Sequence, residues 1–477
     1  MKFARFILLG LLILTLTTAL NVNAADGEIS TDLLTQFEKD IKTEPNHKQI
    51  INAITNNSIK DLALNRDKIV NFDKLFTYKL KSTGLINQKS SGRCWIFAGA
   101  NISTPKVMNK LNASDFEMSQ SYLAFYDKLE KANYFLERMI ELRDKPLEDR
   151  TVQNEIQYLF GDGGWWNYFL GLVNKYGVVP AQVMPETKQS ESTGMLNFLG
   201  QTLLRKYAAE LRAMHQNGRS EKALRQRKEK MLSDVYKLLV YNYGQPPKEF
   251  NFRYEYKDEE DTTKTEKEII ERTFTPLSFF QEFIGEAMPE YVSLCNYPTQ
   301  KFDENYILQS TRNMYEGTDY KVLNLDIEKL KHYTEKTLLD SQLVWFACDV
   351  GRDNYNTEGL FSVDVYDYTN TLGIDFSMDK KTGIEYGYIS PTHAMAITGF
   401  DTAADGSINK WLVENSWGAK HGDNGFYYMQ DDWFDAYVLV VVVPKNLLED
   451  EELKLLEKKP IIIKDYEPFA SGMRSIQ

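Results

Sequence analysis

The chain has 477 residues, and 68 Asp and Glu against 56 Lys and Arg give it a net charge of −12 at pH 7. An acidic chain repels nucleic acid on average, so we expect no nucleic-acid partner. Its three cysteines, Cys94, Cys295 and Cys348, can form one disulfide at most, so stability depends on a large aromatic-rich core rather than on cross-links.

Residues 1–24 have the pattern of a cleaved signal peptide. Lys2 and Arg5 precede an apolar run over 6–20, and the small residue Ala24 suits the cleavage site. The run is shorter than the roughly 20 residues that span a bilayer, so no stable membrane anchor is expected. We predict export to the periplasm or the extracellular space, and removal of the two basic residues changes the net charge to −14.

After the signal peptide, spaced apolar residues over 29–69 predict surface helices in an N-terminal arm, residues 25–84. A helical lobe follows over 85–198. Its first helix runs from Cys94 to about Asn109, where Pro105 is expected to kink it or end its first part. Its second helix runs from about Ser119 to Leu142, with an apolar stripe on one side and charges on the other.

Residues 199–243 are rich in Leu, Ala, Lys, Arg and Glu at helical spacing, and 254–268 form a highly charged connector. Together with the segment 277–283 they predict a helical insertion over 199–340. After residue 341 the runs become short and β-rich, as in LVWFACDV, HAMAITGF and KWLVENSW, so residues 341–445 predict a mainly antiparallel sheet. Residues 446–477 form a C-terminal tail. The predicted fold class is therefore α+β.

Four residues could form a nucleophilic site. Cys94 follows a Ser-Ser-Gly-Arg turn at the start of a helix, where unpaired N–H groups favour a thiolate, although a lone cysteine there could equally be an inert core residue. His393 opens one strand and Asn415 ends the next, so antiparallel pairing would bring imidazole and amide together. Gln88 lies six residues before Cys94, where its amide could join the Cys94 N–H in holding an oxyanion.

The segments QKSSGRCW, THAMAITGF and NSWGAKHGDNGFYYM resemble the three active-site blocks of papain-like cysteine peptidases. Further stretches resemble the bleomycin hydrolase and bacterial aminopeptidase branch of that class: FEMSQSYLAFYDKLEKANYFLE, DGGWW, YGVVPAQVMPET and VWFACDVG. The resemblance extends from about residue 70 to residue 445. It implies a papain-like fold, with the insertion between a helical lobe and a β-rich lobe.

The resemblance implies roles for seven residues. The catalytic set is Cys94 as nucleophile, His393 as general base and acid, Asn415 as the group that orients His393, and Gln88 as oxyanion donor. The substrate-binding set is Gly163, Gly164 and Trp417. An adjacent imidazolium and the helix N-terminus would lower the thiol pKa toward about 3 to 4, so we expect a thiolate–imidazolium pair at neutral pH. No cofactor and no metal site are expected, since the sequence has no HExxH motif and no CxxC pair.

Two departures from the general papain pattern stand out. That pattern has a disulfide-forming Cys three residues before the nucleophile and a Ser or Ala directly before it, where this chain has Ser91 and Arg93. His393 lies 299 residues after Cys94, whereas about 130 to 150 is usual for the papain type. The insertion accounts for the extra length.

The resemblance also implies peptide substrates, a homo-oligomer that is hexameric, and a tail that reaches the active-site cleft. In the family the terminal carboxylate holds the α-amine of the substrate, which makes the enzyme an aminopeptidase. Here the chain continues past the usual end to Gln477, which shifts that carboxylate, and Asp465 or Glu467 could replace it. The alternatives are a papain-like endopeptidase and a non-catalytic binding protein on the same scaffold.

Overall fold

The computed structural model describes residues 27–82, 86–111, 113, 116–256, 268–285 and 288–473. The predicted signal peptide, residues 1–24, and the end of the tail, residues 474–477, lie outside this part of the chain. The chain divides into two compact units, residues 1–63 and residues 64–477.

Among its described residues, 27–63, the first unit contains three helices, α1 (Thr31–Thr43), α2 (His47–Asn56) and α3 (Ile59–Leu62). The hydroxyl of Ser30 caps α1 by accepting a hydrogen bond from the Leu33 N–H at 3.1 Å. No residue of these helices is buried. They are surface helices, as the spaced apolar pattern predicts.

The second unit contains the remaining helices of the described residues. They are α4 (Arg66–Val70), α5 (Cys94–Leu111), α6 (Gln120–Glu141), α7 (Arg150–Gln157), α8 (Trp166–Tyr176), α9 (Gly194–Gln216), α10 (Glu221–Tyr243), α11 (Pro276–Phe283), α12 (Ile327–Leu339), α13 (Tyr368–Leu372), α14 (Lys380–Glu385), α15 (Asp431–Tyr437), α16 (Asp450–Glu457) and α17 (Pro468–Gly472).

The same unit contains the strands. They are β1 (Tyr78–Lys79), β2 (Phe250–Tyr256), β3 (Glu268–Phe274), β4 (Tyr291–Cys295), β5 (Glu304–Leu308), β6 (Tyr320–Asn324), β7 (Val344–Cys348), β8 (Asn354–Tyr355), β9 (Leu360–Phe361), β10 (His393–Thr402), β11 (Ile408–Glu414), β12 (Phe426–Gln430), β13 (Val438–Pro444) and β14 (Ile461–Ile463).

One large sheet organises the second unit. Over the described ranges it has 12 strands in the order β14-β5-β6-β4-β13-β7-β10-β11-β12-β9-β8, with β1 paired to β10, while β2 and β3 form a separate hairpin sheet. Only the pairs β4–β6, β5–β14 and β9–β12 are parallel among the described strands. Every residue of β7 and β13 is buried, which is typical of strands covered on both faces.

Helix α5 packs against β10 and β7 and so brings the N-terminal lobe to the middle of the sheet. Its apolar surface extends nearly all round, and most of its residues are buried. It continues through Pro105 to Leu111, so Pro105 does not end it. Helix α6 matches the second predicted helix to within a residue at each end, because its apolar stripe repeats regularly over several turns.

The insertion is less helical than its composition predicts. Helices α9 and α10 confirm the helical pattern up to Tyr243, but β2 to β6 follow it before α12. Strands β4, β5 and β6 join the main sheet, and β4 pairs with β13 from the other end of the chain. A helical insertion over the whole of 199–340 is therefore wrong, because short strands stabilised by distant partners leave little periodicity of their own.

Candidate active site

Cys94 is the first residue of α5, and its thiol is fully buried. Burial raises the pKa of this thiol to about 12, although hydrogen bonds from the backbone N–H groups of Ala394 and Trp95 act in the opposite direction. Since Ala394 directly follows His393, the hydrogen bond from its N–H places the start of β10 at the sulfur. Two residues that are 299 positions apart in the sequence are thereby brought together.

The imidazole of His393 is hydrogen-bonded to Asn415, with Nε2 2.8 Å from Oδ1. His393 is the first residue of β10, and Asn415 directly follows β11, which pairs antiparallel with β10. Because the Asn415 Oδ1 can only accept, Nε2 carries the proton and Nδ1 is the ring nitrogen left for the thiol. The Ser416 N–H also donates to the same oxygen at 2.7 Å, which fixes the amide orientation.

Burial lowers the pKa of His393 to about 4, against the opposing effect of the hydrogen bond to Asn415. Burial therefore disfavours the charged form of each group taken alone. The thiolate–imidazolium pair, in which each charge offsets the other, stays a prediction.

Trp417 covers the His393–Asn415 pair. Its ring centroid lies 4.9 Å from that of His393, and its indole meets the Tyr427 ring edge-on at 5.8 Å. Burial of the His393 and Asn415 side chains is consistent with this cover, since their residues are 3% and 0% exposed. A hydrogen bond kept from water is stronger than the same bond in solvent.

Gln88 is held from both ends of its side-chain amide. Its Nε2 donates to the Ser91 carbonyl at 2.6 Å, and its Oε1 accepts from the Ser416 hydroxyl at 2.6 Å. Its backbone N–H donates to the Ser416 carbonyl at 2.8 Å. An amide nitrogen carries two hydrogens, so one N–H remains for an oxyanion beside the Cys94 N–H.

Gly163 and Gly164 lie between α7 and α8, and Gly164 packs against the ring of Trp95, the residue after the nucleophile. The Gly163 carbonyl accepts from Lys131 Nζ at 2.6 Å. A Cβ on Gly164 would lie 2.5 Å from the Trp95 ring, so only glycine fits there without a shift. The structure thus places both glycines beside the helix that carries Cys94.

Sequence reasoning missed two side chains that support the site. Ser416 lies inside the NSWG motif and joins Gln88 to the loop that carries Asn415. Asp162 lies inside the DGGWW segment and is hydrogen-bonded to the turn before Cys94. Their membership in quoted motifs was the available signal, but no residue spacing in the sequence indicates which partners they have.

Cys94, Cys295 and Cys348 are all free and buried. Within the described residues, no group of three or more His, Cys, Asp or Glu side chains is arranged to hold a metal ion. No helix in that part of the chain has the length and hydropathy needed to cross a membrane.

Comparison with known proteins decides the family. The Peptidase C1-like family matches residues 28–470. The chain belongs to this family. The similarity to papain-like cysteine peptidases of the bleomycin hydrolase and bacterial aminopeptidase branch is thereby confirmed, and with it the assignment of the chain as a cysteine peptidase of α+β fold.

Individual relatives of this peptidase cover nearly the whole chain. Aminopeptidase C of Listeria monocytogenes serovar 1/2a is 35% identical over 446 residues, which cover 93% of this chain and 99% of the relative. Aminopeptidase C of Lactobacillus helveticus is 34% identical over 453 residues, covering 93% and 98%. The crystal structure of PepW from Lactobacillus rhamnosis superposes with a TM-score of 0.87 at 35% identity, covering 93% and 99%.

Proposed function

We propose that this peptidase is an aminopeptidase that removes residues from the free amino end of peptides through an acyl-enzyme on Cys94. The observation that carries the proposal is the 2.8 Å hydrogen bond between His393 Nε2 and Asn415 Oδ1, formed beside a thiol at a helix N-terminus. The relatives named Aminopeptidase C support the direction of cleavage.

The reaction begins when His393 Nδ1 takes the proton of the Cys94 thiol as the sulfur attacks the scissile carbonyl. The new C–S bond leaves a negative oxygen, which Gln88 Nε2 and the Cys94 N–H stabilise. Loss of one such donor costs on the order of 3 kcal/mol of transition-state stabilisation. His393 then protonates the leaving amine as the C–N bond breaks.

Deacylation uses the same residues, with water as the nucleophile. His393 accepts a proton from water, the hydroxide attacks the thioester, and the C–S bond breaks to free the acid and return the thiol. Asn415 holds the imidazolium formed in each half-reaction because its carbonyl oxygen accepts from Nε2. Trp417 keeps water from this hydrogen bond.

The tail supports cleavage at chain ends. Helix α17 is followed by Met473, whose carbonyl accepts a hydrogen bond from the Trp165 indole N–H, and Trp165 directly follows Gly164. Phe469 anchors the tail on the Tyr297 ring, with centroids 4.4 Å apart. We propose that the tail blocks one end of the cleft and leaves room for only a short stretch of substrate.

The test compares peptides with free and acetylated amino ends. The intact enzyme should cleave only the free form, and a chain ending at Ala470 should gain cleavage of the acetylated form, because it lacks the Met473 contact. A chain ending at Met473 is the matched control, since it keeps that contact. Cleavage of acetylated peptides by the intact enzyme would identify an endopeptidase. No turnover together with no labelling of Cys94 by a thiol-directed epoxide would identify a non-catalytic binding protein.

We also propose that residues 1–24 direct export and are then removed. Their charge and apolar pattern supports this proposal, and the N-terminal sequence of the protein recovered from the exported fraction tests it.

A homohexamer is proposed from the family resemblance, and light scattering of the purified chain measures the oligomeric state. The net charge of −14 after removal supports an absence of nucleic-acid binding, and unchanged sedimentation with DNA at physiological salt is the expected result.

A further inference from the structure

Asp162 lies directly before the two glycines and is 7% exposed. Its Oδ2 accepts hydrogen bonds from the Gly92 N–H at 2.9 Å and from the Thr193 hydroxyl at 2.5 Å. Its backbone carbonyl accepts from the Trp95 indole N–H at 2.7 Å. One residue thus contacts the chain on both sides of the nucleophile.

Lys128 on α6 forms an ion pair with this carboxylate, with Nζ 2.7 Å from Oδ1. Burial opposes ionisation of Asp162, but the Lys128 ammonium and the donated hydrogen bonds hold the pKa of this carboxyl well below its usual range. Lys128 also donates to the Phe160 carbonyl at 2.9 Å and to Asn197 Oδ1 at 2.6 Å. The ammonium is therefore fixed by three acceptors, two in the loop between α7 and α8 and one in α9.

These contacts join the two parts of the site that must hold one substrate. Gly92 belongs to the turn whose next residues place the Cys94 N–H, the oxyanion donor of the proposed function. Gly163, which directly follows Asp162, begins the glycine pair to which the family resemblance assigns substrate binding. The Asp162 carboxylate therefore sets the separation between the oxyanion site and the substrate segment.

The sequence shows why such a connection is needed here. The general papain pattern has a disulfide-forming Cys where this chain has Ser91, so this turn has no covalent connection. Ser91 instead donates its hydroxyl to the Gln88 carbonyl at 2.6 Å, a contact within the turn. The connection from the turn to the glycine segment is left to Asp162.

We propose that Asp162, paired with Lys128, is a positioning residue that holds the oxyanion site in register with the substrate segment. It does not touch the reacting atoms, and it joins a turn that lacks the disulfide-forming Cys of the general papain pattern to the glycine pair through hydrogen bonds and an ion pair. The proposal rests on the proposed peptidase function. Unlike a disulfide, this connection is insensitive to a reductant.

The test measures two reactions of Cys94 in parallel. Peptide hydrolysis needs the oxyanion site, whereas alkylation by iodoacetamide needs only the sulfur. Active sites are counted by titration with a thiol-directed epoxide. On this basis Asp162→Ala should lower kcat/KM about 10- to 100-fold, mainly through kcat, because the Cys94 N–H is misplaced. The alkylation rate of Cys94, followed by mass spectrometry, should stay within about threefold of wild type or rise, since the Asp162 anion raises the pKa of the thiol.

Two further variants separate positioning from stability. Asp162→Asn keeps an oxygen that can accept from Gly92, so it should recover a large part of the lost kcat. Glu452→Gln removes another buried carboxylate, which accepts from Lys329 at 2.8 Å and from Tyr333, and it should leave kcat/KM within about twofold of wild type.

Three results would overturn the proposal. They are wild-type turnover by Asp162→Ala, a parallel loss of hydrolysis and alkylation, and an equal loss in Glu452→Gln. Inactivity of the wild type toward every peptide would instead contradict the proposed function, so the two failures are distinguishable.

Discussion

Gly164 offers a sharp test of the packing around the nucleophile. A Cβ built on its backbone would lie 2.5, 2.7 and 2.8 Å from three atoms of the Trp95 indole. That ring has little freedom to move, because its N–H donates to the Asp162 carbonyl at 2.7 Å and its face meets the Tyr168 ring edge-on at 5.9 Å. Gly164→Ala therefore overpacks a site that cannot relax cheaply.

Overpacking of a filled core costs about 1 to 3 kcal/mol of unfolding free energy. The activity should fall as well, because Trp95 directly follows Cys94 and a displacement of about 1 Å at a reacting group can cost about 100-fold in rate. We expect kcat/KM per titrated site to fall about 10-fold or more for Gly164→Ala.

Gly161 provides the matched control in the same loop. Its Cβ would have no heavy atom within 4 Å, and its φ lies outside the left-handed region. Gly161→Ala should be neutral or stabilise by up to about 1 kcal/mol, since it restricts the unfolded chain. Urea unfolding and peptide turnover of both variants make the comparison. Unfolding free energies within about 0.5 kcal/mol of each other would refute the packing argument.

Three further predictions concern the hydrogen-bonded residues. Asn415→Ala removes the acceptor of the His393 Nε2–H and should lower kcat about 10- to 100-fold with little change in Cys94 labelling, as measured by steady-state kinetics. Ser416→Ala removes one hydrogen bond, worth about 1 kcal/mol, from Gln88, so kcat/KM should fall about 3- to 10-fold, less than for Gln88→Ala; equal losses would contradict this order. Because burial lowers the pKa of His393 from 6.5 to about 4, the unfolded chain binds this proton first on acidification. The unfolding free energy therefore has its full value above pH 6.5 and falls by ~3 kcal/mol as the pH is lowered toward 4. Urea unfolding at both pH values should show that wild type loses about this much more unfolding free energy than His393→Gln. An equal loss in the two proteins would contradict the prediction.

The pairing of His393 with Asn415 could be predicted because it depends on local patterns. Two β-rich runs separated by a short polar turn pair antiparallel, so the start of the first strand and the end of the second lie side by side, away from the turn. The periodic stripe of α6 is a local signal of the same kind. Such features are set by residues within a few positions of one another.

Strands β4 to β6 and the Asp162 contacts could not be predicted in this way. Strand β4 is stabilised by β13, which comes about 145 residues later, so its own five residues carry little information. An Asp before two glycines is first interpreted as a turn residue, and nothing in the sequence relates it to Gly92, 70 residues earlier. Both the strands and the Asp162 contacts depend on partners that are distant in the sequence.

The charge state of Cys94 and His393 also depends on the whole fold and not only on the local sequence. The sequence shows a helix N-terminus and an imidazole, which both favour a thiolate, but it does not show how much water the fold removes. Burial penalises each isolated ion, whereas a proton passed from Cys94 to His393 creates two opposite charges and no net charge. The ion pair is therefore penalised less than either ion alone. A substrate carbonyl that receives the negative charge, with Gln88 and the Cys94 N–H placed to hold it, makes that transfer productive.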